Sequence, residues 1–270
     1  MEETFTSWRH PEGERPEKAR PVQPPDAVEF ARTRLGFEPD EKQREILLSS
    51  AKRGILNCTR QWGKSTIAAV KAVHRAYTQP RSLVLVASPS ERQSGEFVRK
   101  ASEMVIRLGI KPRGDGDNKV SLKFPNESRI VGLPGMDGTV RGYSNVSLLM
   151  IDEASRVGEN VFSALTPGLA TSGGDLWLMS TPFRKLGRFY QTWQCGGPAW
   201  HKVMVPATEC PRISREFLEE ERLSQRGNFG MEFLCEFQED GYSVFSRDLV
   251  EQALDSTVKP LVVPPMKTWE

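Results

Sequence analysis

Nine residues, Cys58-Thr59-Arg60-Gln61-Trp62-Gly63-Lys64-Ser65-Thr66, constrain this chain more than any other stretch. They follow a short apolar run, Gly54-Ile55-Leu56, and open into Ile67-Ala68-Ala69-Val70, whose pattern predicts a helix. A strand, a tight Gly-Lys-Ser turn and a helix in succession form a phosphate-binding unit. Backbone N–H groups and the helix N-terminus face an anion there. In that unit Lys64 reaches the β/γ-phosphates and Ser65 holds Mg²⁺. The pattern G-x-x-x-x-G-K-[ST] departs only at its first position, where Cys58 replaces glycine. Gly63-Lys64-Ser65, where the backbone comes closest to phosphate, is intact.

Apolar runs alternate with amphipathic stretches on either side of this loop. Strands are expected at Gly54 to Asn57, Ser82 to Ala87, Ser147 to Ile151 and Asp175 to Met179. Phe97, Ala101, Met104, Val105 and Leu108 fall on one face of a helix spanning Glu91 to Leu108. Lys119 to Phe124 and Ser128 to Leu133 flank Pro125-Asn126 as a hairpin inserted before the third strand. Continuous apolar strands separated by helices predict an α/β fold, a parallel sheet flanked by helices on both faces. A short helix is expected from Asp26 to Leu35, and Asp40 is expected to cap a helix from Glu41 to Ser50. Beyond Thr181 the alternation stops. A helix near Gly187 to Trp193, a strand from Trp200 to Val205 and helices Ser214 to Arg226 and Phe229 to Glu236 read as a small subdomain.

The expected organisation is a flexible arm over residues 1–25, a core over 26–182, a lid subdomain over 183–250 and a linker over 251–270. The arm is polar and rich in Pro, Glu and Arg, with too few apolar residues to pack. No run approaches the ~20 apolar residues of a membrane span. Cys58, Cys195, Cys210 and Cys235 lack metal or C-x-x-C spacing, so four free thiols in a reducing compartment are expected. The net charge of +2 neither announces nor excludes a nucleic-acid partner. Contacts to a phosphate backbone would need local basic patches. Arg92, Arg99, Lys100 and Arg107 offer one, and Arg184, Lys185 and Arg188 another, though a solvated helix face explains any single one.

Leu148-Leu149-Met150-Ile151 ends in Asp152-Glu153. An apolar strand ending in two carboxylates downstream of a phosphate loop suits Asp152 to Mg²⁺ and Glu153 to orienting an attacking water. Leu178-Met179-Ser180-Thr181-Pro182 ends the next strand. Its hydroxyls either sense the γ-phosphate or cap the following turn. Phe37 and Gln43 lie ahead of the first strand and suit a base, by stacking and by amide pairing. A surface glutamine on an ordinary helix is the plainer alternative. Arg60 lies inside the loop, within reach of phosphates of its own subunit. Arg141, in Thr139-Val140-Arg141-Gly142-Tyr143, suits either a surface salt bridge or an arginine finger into a neighbouring site.

The order F-x-P-x-x-x-Q, C-T-R-Q-W-G-K-S-T, R-G ahead of L-L-M-I-D-E-A, and S-T-P resembles the ATPase domain of the large terminase subunit of tailed bacteriophages, over roughly residues 35 to 250. The resemblance implies a P-loop NTPase of the RecA-like ASCE kind, with a C-terminal lid. It implies ATP and Mg²⁺, double-stranded DNA driven into a procapsid, a portal protein, a small terminase subunit and a homo-oligomeric ring, a pentamer, in the host cytoplasm. Residues 58–66 bind the nucleotide, with Lys64 and Ser65 in their phosphate-loop roles. Asp152 becomes the Mg²⁺ carboxylate, Glu153 the catalytic glutamate, and Ser180 and Thr181 the coupling motif. Gln43 becomes the adenine-reading residue and Arg141 a trans-acting finger. A C-terminal nuclease, usual in that family, has no carboxylate cluster to build it before Glu270, so a motor domain alone is expected. The competing reading is a DEAD-like helicase fragment. Such a helicase needs a second domain of ~150 residues, where roughly ninety follow Thr181.

Overall fold

The computed structural model describes residues 25–134, 142–224, 228–239, 249 and 252–253. Arg141, nearly all of the N-terminal arm and nearly all of the C-terminal linker lie outside the described residues.

Two short helices open the described fold. Asp26 accepts the Val28 and Glu29 N–H groups and starts α1 (Ala27–Leu35), which ends at left-handed Gly36. Asp40 starts α2 (Glu41–Leu48) through a capping box with Gln43. Then come β1 (Arg53–Cys58), α3 (Lys64–Thr78), β2 (Leu83–Ser88) and α4 (Glu91–Arg107). The hairpin β3 (Ser121–Lys123) and β4 (Arg129–Pro134) precedes β5 (Val146–Asp152). After β5 come α5 (Glu159–Leu165), β6 (Asp175–Ser180), α6 (Gly187–Cys195), β7 (His201–Val205), α7 (Arg215–Ser224) and α8 (Phe229–Phe233).

The seven strands form one sheet in the order β3-β4-β2-β5-β6-β1-β7. Every neighbouring pair is parallel except β3 with β4, so the sheet is mixed at one edge. Successive strand residues face opposite sides. Leu148 and Met150 of β5 join the core under α1 to α4, whereas Leu149 and Ile151 join the core under α5 and α6. Burial on both faces is why β2 and β5 read as unbroken apolar runs. Small residues let α3 lie close to the sheet: Ala68, Ala69, Ala72 and Ala76 are all buried.

The expected hairpin forms ahead of β5, with β3 and β4 antiparallel, and β4 also pairs in parallel with β2 along its whole length and so extends the sheet. One expectation is corrected: the strand after α6 does not belong to an appended subdomain. β7 pairs in parallel with β1, from Gly54↔His201 to Cys58↔Val205, and Phe189 of α6 packs into the same core as Leu149 and Ile151 of β5. Both strands leave the sheet pattern in sequence, but pairing with the open edges satisfies their backbone groups. What stands apart is a satellite core of Ala207, Leu218 and Phe233, built by α7 and α8. All four cysteines are free, with Cys58, Cys210 and Cys235 buried and Cys195 exposed.

Candidate nucleotide site

β1 delivers its chain into the loop, and Gly63 turns it into α3 with φ +98°, a conformation that suits glycine. No side chain caps α3, so its N-terminal N–H groups face the cleft unopposed. A cleft of about 610 Å³ opens there, lined by Phe37, Gln43, residues 60–66, Gln93, Lys100, Glu153, Arg156 and Arg212.

β6 lies between β1 and β5, and the register sets Asn57 beside Ser180 and Asp152 beside Met179. That order brings three distant segments to one edge. Ser65 Oγ donates to Asp152 Oδ2 at 3.4 Å. Lys64 Nζ lies 3.5 Å from Glu153 Oε1. Ser180 Oγ donates to Glu153 Oε2 at 3.2 Å, and Ser155 Oγ bonds both Ser180 Oγ (2.8 Å) and the Thr181 carbonyl (2.9 Å). Glu153 takes a left-handed backbone, φ +49°, with its N–H donating to Asp152 Oδ1 at 3.1 Å. A left-handed non-glycine residue costs on the order of 1–3 kcal/mol, and such positions cluster at functional sites.

Asp152 is buried. Desolvation, reinforced by the neighbouring Glu153 carboxylate, pushes its carboxyl up to about 6, against partial relief from Lys64. A carboxylate held this far out of water, with a serine hydroxyl beside it, suits a hard divalent cation. Among the described residues no group of three His, Cys, Asp or Glu side chains assembles a metal site by itself. The donor set therefore fits an ion such as Mg²⁺ that takes one or two protein oxygens and completes its shell with phosphate and water.

The sequence-predicted residues divide by depth. Phe37, Gln43, Arg60, Gln61, Trp62, Gly63, Lys64, Ser65, Thr66 and Glu153 line the cleft. Cys58 and Thr59 lie buried behind it, Asp152 behind Ser65, and Ser180 and Thr181 behind Glu153. The Trp62 ring is buried in the main core and anchors the loop, while its carbonyl accepts from Gln43 Nε2 at 3.3 Å. Arg60 pairs with Glu232 of α8 at 2.5 Å, and Thr59 Oγ1 donates to the Glu232 carbonyl at 3.0 Å.

Sequence reasoning passed over Arg212, Ser155 and Glu232. Arg212 donates to the Trp62 carbonyl and, at 3.0 Å, to Asp40 Oδ2. It stands 150 residues from Trp62 in a Pro-Arg-Ile loop with no pattern to mark it. Most of the basic residues noted for a phosphate backbone are engaged otherwise. Arg99 pairs with Glu96 and Glu103, Arg107 donates to the Leu35 carbonyl, Arg188 pairs with Glu159, and Lys100 lines the cleft.

Sheet order, open helix terminus and convergent lysine, serine and carboxylates define a P-loop nucleotide-binding domain of the RecA-like kind. A family described as "Terminase large subunit, T4likevirus-type, N-terminal" matches residues 55–252, and the chain belongs to that family. The large terminase subunit of Thermus phage G20c is 28% identical over 191 residues, covering 64% of this chain and 39% of that relative. The chain thus corresponds to well under half of that protein's length. The ATPase domain of the Thermus phage P74-26 large terminase superposes with TM-score 0.68 at 24% identity, over 76% of this chain and 96% of that domain. The large terminase of another thermophilic bacteriophage, solved in complex with ADP, superposes with TM-score 0.62 at 15% identity, over 73% of this chain and 53% of that one.

Proposed function

We propose that this domain hydrolyses ATP with Mg²⁺ and uses the energy to move double-stranded DNA into a procapsid. The observation that carries the reading is the convergence of Lys64, Ser65, Asp152 and Glu153 on one uncapped helix terminus. Family membership supports the packaging role over the helicase alternative.

Bound Mg²⁺ would neutralise phosphate charge and polarise the phosphoryl group. Ser65 and Asp152 would hold it. Lys64 and the α3 N–H groups bind the phosphates, which compete with Glu153 for the Lys64 ammonium. Glu153, released from that pair, orients the attacking water and takes its proton. Ser180 holds Glu153 in place, so the coupling motif acts on the carboxylate rather than on the nucleotide. Thr181 is wired in through Ser155. Gln43 and Phe37 hold the base. Arg60 exchanges Glu232 for phosphate oxygens, which makes α7 and α8 a lid whose tether depends on nucleotide. Arg141 completes a neighbour's site in a homo-oligomeric ring, pentameric as the resemblance implies. The ring is docked on a portal and served by a small terminase subunit in the host cytoplasm.

A second groove supports the DNA reading. The turn between β3 and β4 and the end of α4 lie at the edge of the sheet opposite the phosphate loop, because β4 runs parallel to β2. A groove of about 570 Å³ there is lined by three cations, Lys111, Arg113 and Lys123, and one anion, Glu127. All three are exposed and, among the described residues, none is in a salt bridge. Free cations away from the catalytic edge fit a sequence-independent grip on DNA phosphates.

The test is ATP hydrolysis against protein concentration, with and without double-stranded DNA, beside Lys64→Ala. Specific activity should rise with concentration and vanish in the variant. Mixing Arg141→Ala with Glu153→Gln protein should restore part of the activity through mixed interfaces. Activity independent of concentration and stimulated by single strands would overturn the packaging reading in favour of the helicase.

A further inference from the structure

Ser88 ends β2, and its side chain is fully buried. Among the described residues its Oγ has no hydrogen-bond partner. Ser82, Ser94, Ser128 and Ser180 are also buried, and each is bonded. Ser82 Oγ donates to Ser128 Oγ at 3.2 Å, and Ser128 Oγ to the Gln79 carbonyl at 2.8 Å. Ser94 Oγ donates to the Glu91 carbonyl at 3.0 Å, and Ser180 Oγ bonds Ser155 Oγ at 2.8 Å. A buried hydroxyl left unbonded is a net loss to the fold, and alanine would fill the same place without that loss. Where a native fold keeps such a group, a bound water or ion is the partner to look for.

Pleat and register place this hydroxyl. Val84 and Val86 face the core under α1 to α4, so Ser88, two residues on, faces the same side. Leu148 and Met150 set Asp152 on that side of β5 by the same alternation. β2 and β5 pair in parallel through Val86↔Met150 and Ala87↔Ile151. One further step brings Ser88 beside Asp152, the last residue of each strand. Neighbouring strands lie about 4.8 Å apart. Ser65 reaches the Asp152 carboxylate from the start of α3, and Ser88 flanks it from β2.

We infer that Ser88 is a positioning residue of the divalent-cation site, its hydroxyl holding a water of the cation's shell beside Asp152. A cation such as Mg²⁺ keeps several waters when one or two carboxylates hold it. A water on a cation offers only its protons outward, so its protein partners must accept. A serine oxygen accepts there and still has its own proton to donate to the carboxylate. Outer partners of this kind orient the ligands of a metal and raise its affinity. The inference rests on the reading of Ser65 and Asp152 as the residues that hold Mg²⁺.

Calorimetric titration of the whole chain with ATPγS, once with Mg²⁺ and once with EDTA, tests it. The ratio of the two affinities reads what the cation adds at the site. Binding of Mg²⁺ to the nucleotide in solution is common to all variants and cancels between them. Wild type should bind more tightly with Mg²⁺, and Asp152→Asn should lose that gain. Ser88→Ala should shrink the ratio about threefold to tenfold, the loss of one neutral hydrogen bond. Its affinity in EDTA should stay at the wild-type value. Its melting temperature without divalent ions should equal or exceed that of wild type, because no bond within the protein is lost. A ratio unchanged in Ser88→Ala but reduced in Asp152→Asn would overturn the inference and leave the cation site standing. A lower melting temperature would also overturn it, by showing that the hydroxyl is bonded inside the protein. Wild type that binds no more tightly with Mg²⁺ than in EDTA would remove both the cation reading and the inference.

Discussion

Asp152→Asn should make the nucleotide-free protein more stable while abolishing Mg²⁺-dependent turnover. The substitution keeps shape and hydrogen bonds. Asn Oδ1 still accepts the Glu153 N–H, and Ser65 Oγ can accept from the new amide where it now donates. What disappears is a buried charge. The Asp152 carboxyl is pushed up to about 6 from 3.8 by desolvation and by Glu153. At about 1.4 kcal/mol per pH unit, holding it ionised at neutral pH costs at most about 3 kcal/mol. Lys64 loses a neighbouring anion in the variant but keeps Glu153, 3.5 Å away. A net gain of about 1–3 kcal/mol should raise the melting temperature by roughly 2–10 °C for a domain of this size. The sign of the pH dependence follows from the raised value. Between pH 3.8 and 6 the native state holds the proton more tightly than the unfolded chain, so wild-type stability falls relative to the variant as pH rises through that window. Above about pH 7 the difference should be flat. Thermal melts of both proteins from pH 4 to 8, without divalent ions, provide the measurement. A variant no more stable than wild type at pH 7.5, or a gap that widens toward acid, would refute the reasoning that this carboxylate is kept at a cost for its function.

Three other outcomes are expected. Glu153→Gln should keep nucleotide affinity within a few-fold and lower turnover by about 10²–10⁴, checked by calorimetry and steady-state hydrolysis; equal turnover would remove Glu153 from the mechanism. Ser180→Ala deprives Glu153 Oε2 of its donor at 3.2 Å. A bond to a charged group is worth about 1.5–3 kcal/mol, so kcat should drop roughly tenfold to a hundredfold with the nucleotide Kd unchanged, and a change in Kd alone would place Ser180 on the nucleotide instead. Replacing Lys111, Arg113 and Lys123 together by Glu should remove DNA binding and DNA stimulation while DNA-free hydrolysis stays at the wild-type rate, and unchanged DNA affinity in a salt titration would clear that groove of the role.

The phosphate loop, the two-carboxylate strand end and the strand after it were legible in sequence because each combines a local periodicity with a chemically restricted turn. Lys64, Ser65, Asp152 and Glu153 sit where strand-to-loop transitions predict them. The four sheet-forming runs Gly54 to Asn57, Ser82 to Ala87, Ser147 to Ile151 and Asp175 to Met179 match β1, β2, β5 and β6 to within a residue. Such signals are written residue by residue, in side-chain alternation and in the φ freedom of Gly63. Pairing partners are not. β7 read as part of an appended subdomain, and β4 only as one half of a hairpin, because neither carries a mark naming the edge it will extend, and backbone hydrogen bonding is indifferent to side-chain identity.

The same limit explains the site. Ser180 stood at a strand end with two readings open, and the insertion of β6 between β1 and β5 is what sets its hydroxyl against Glu153. Trp62 is marked in sequence only as one residue of the phosphate loop, and packing makes it the loop's anchor. Arg212 and Glu232 reach the loop from 150 and more than 170 residues away, across β7 and α8. Local chemistry can be read along the chain because neighbours in sequence are neighbours in space. Strand order, the depth of each hydroxyl and the arginine over the base end arise from long-range packing, where many weak contacts share the choice and no single residue encodes it.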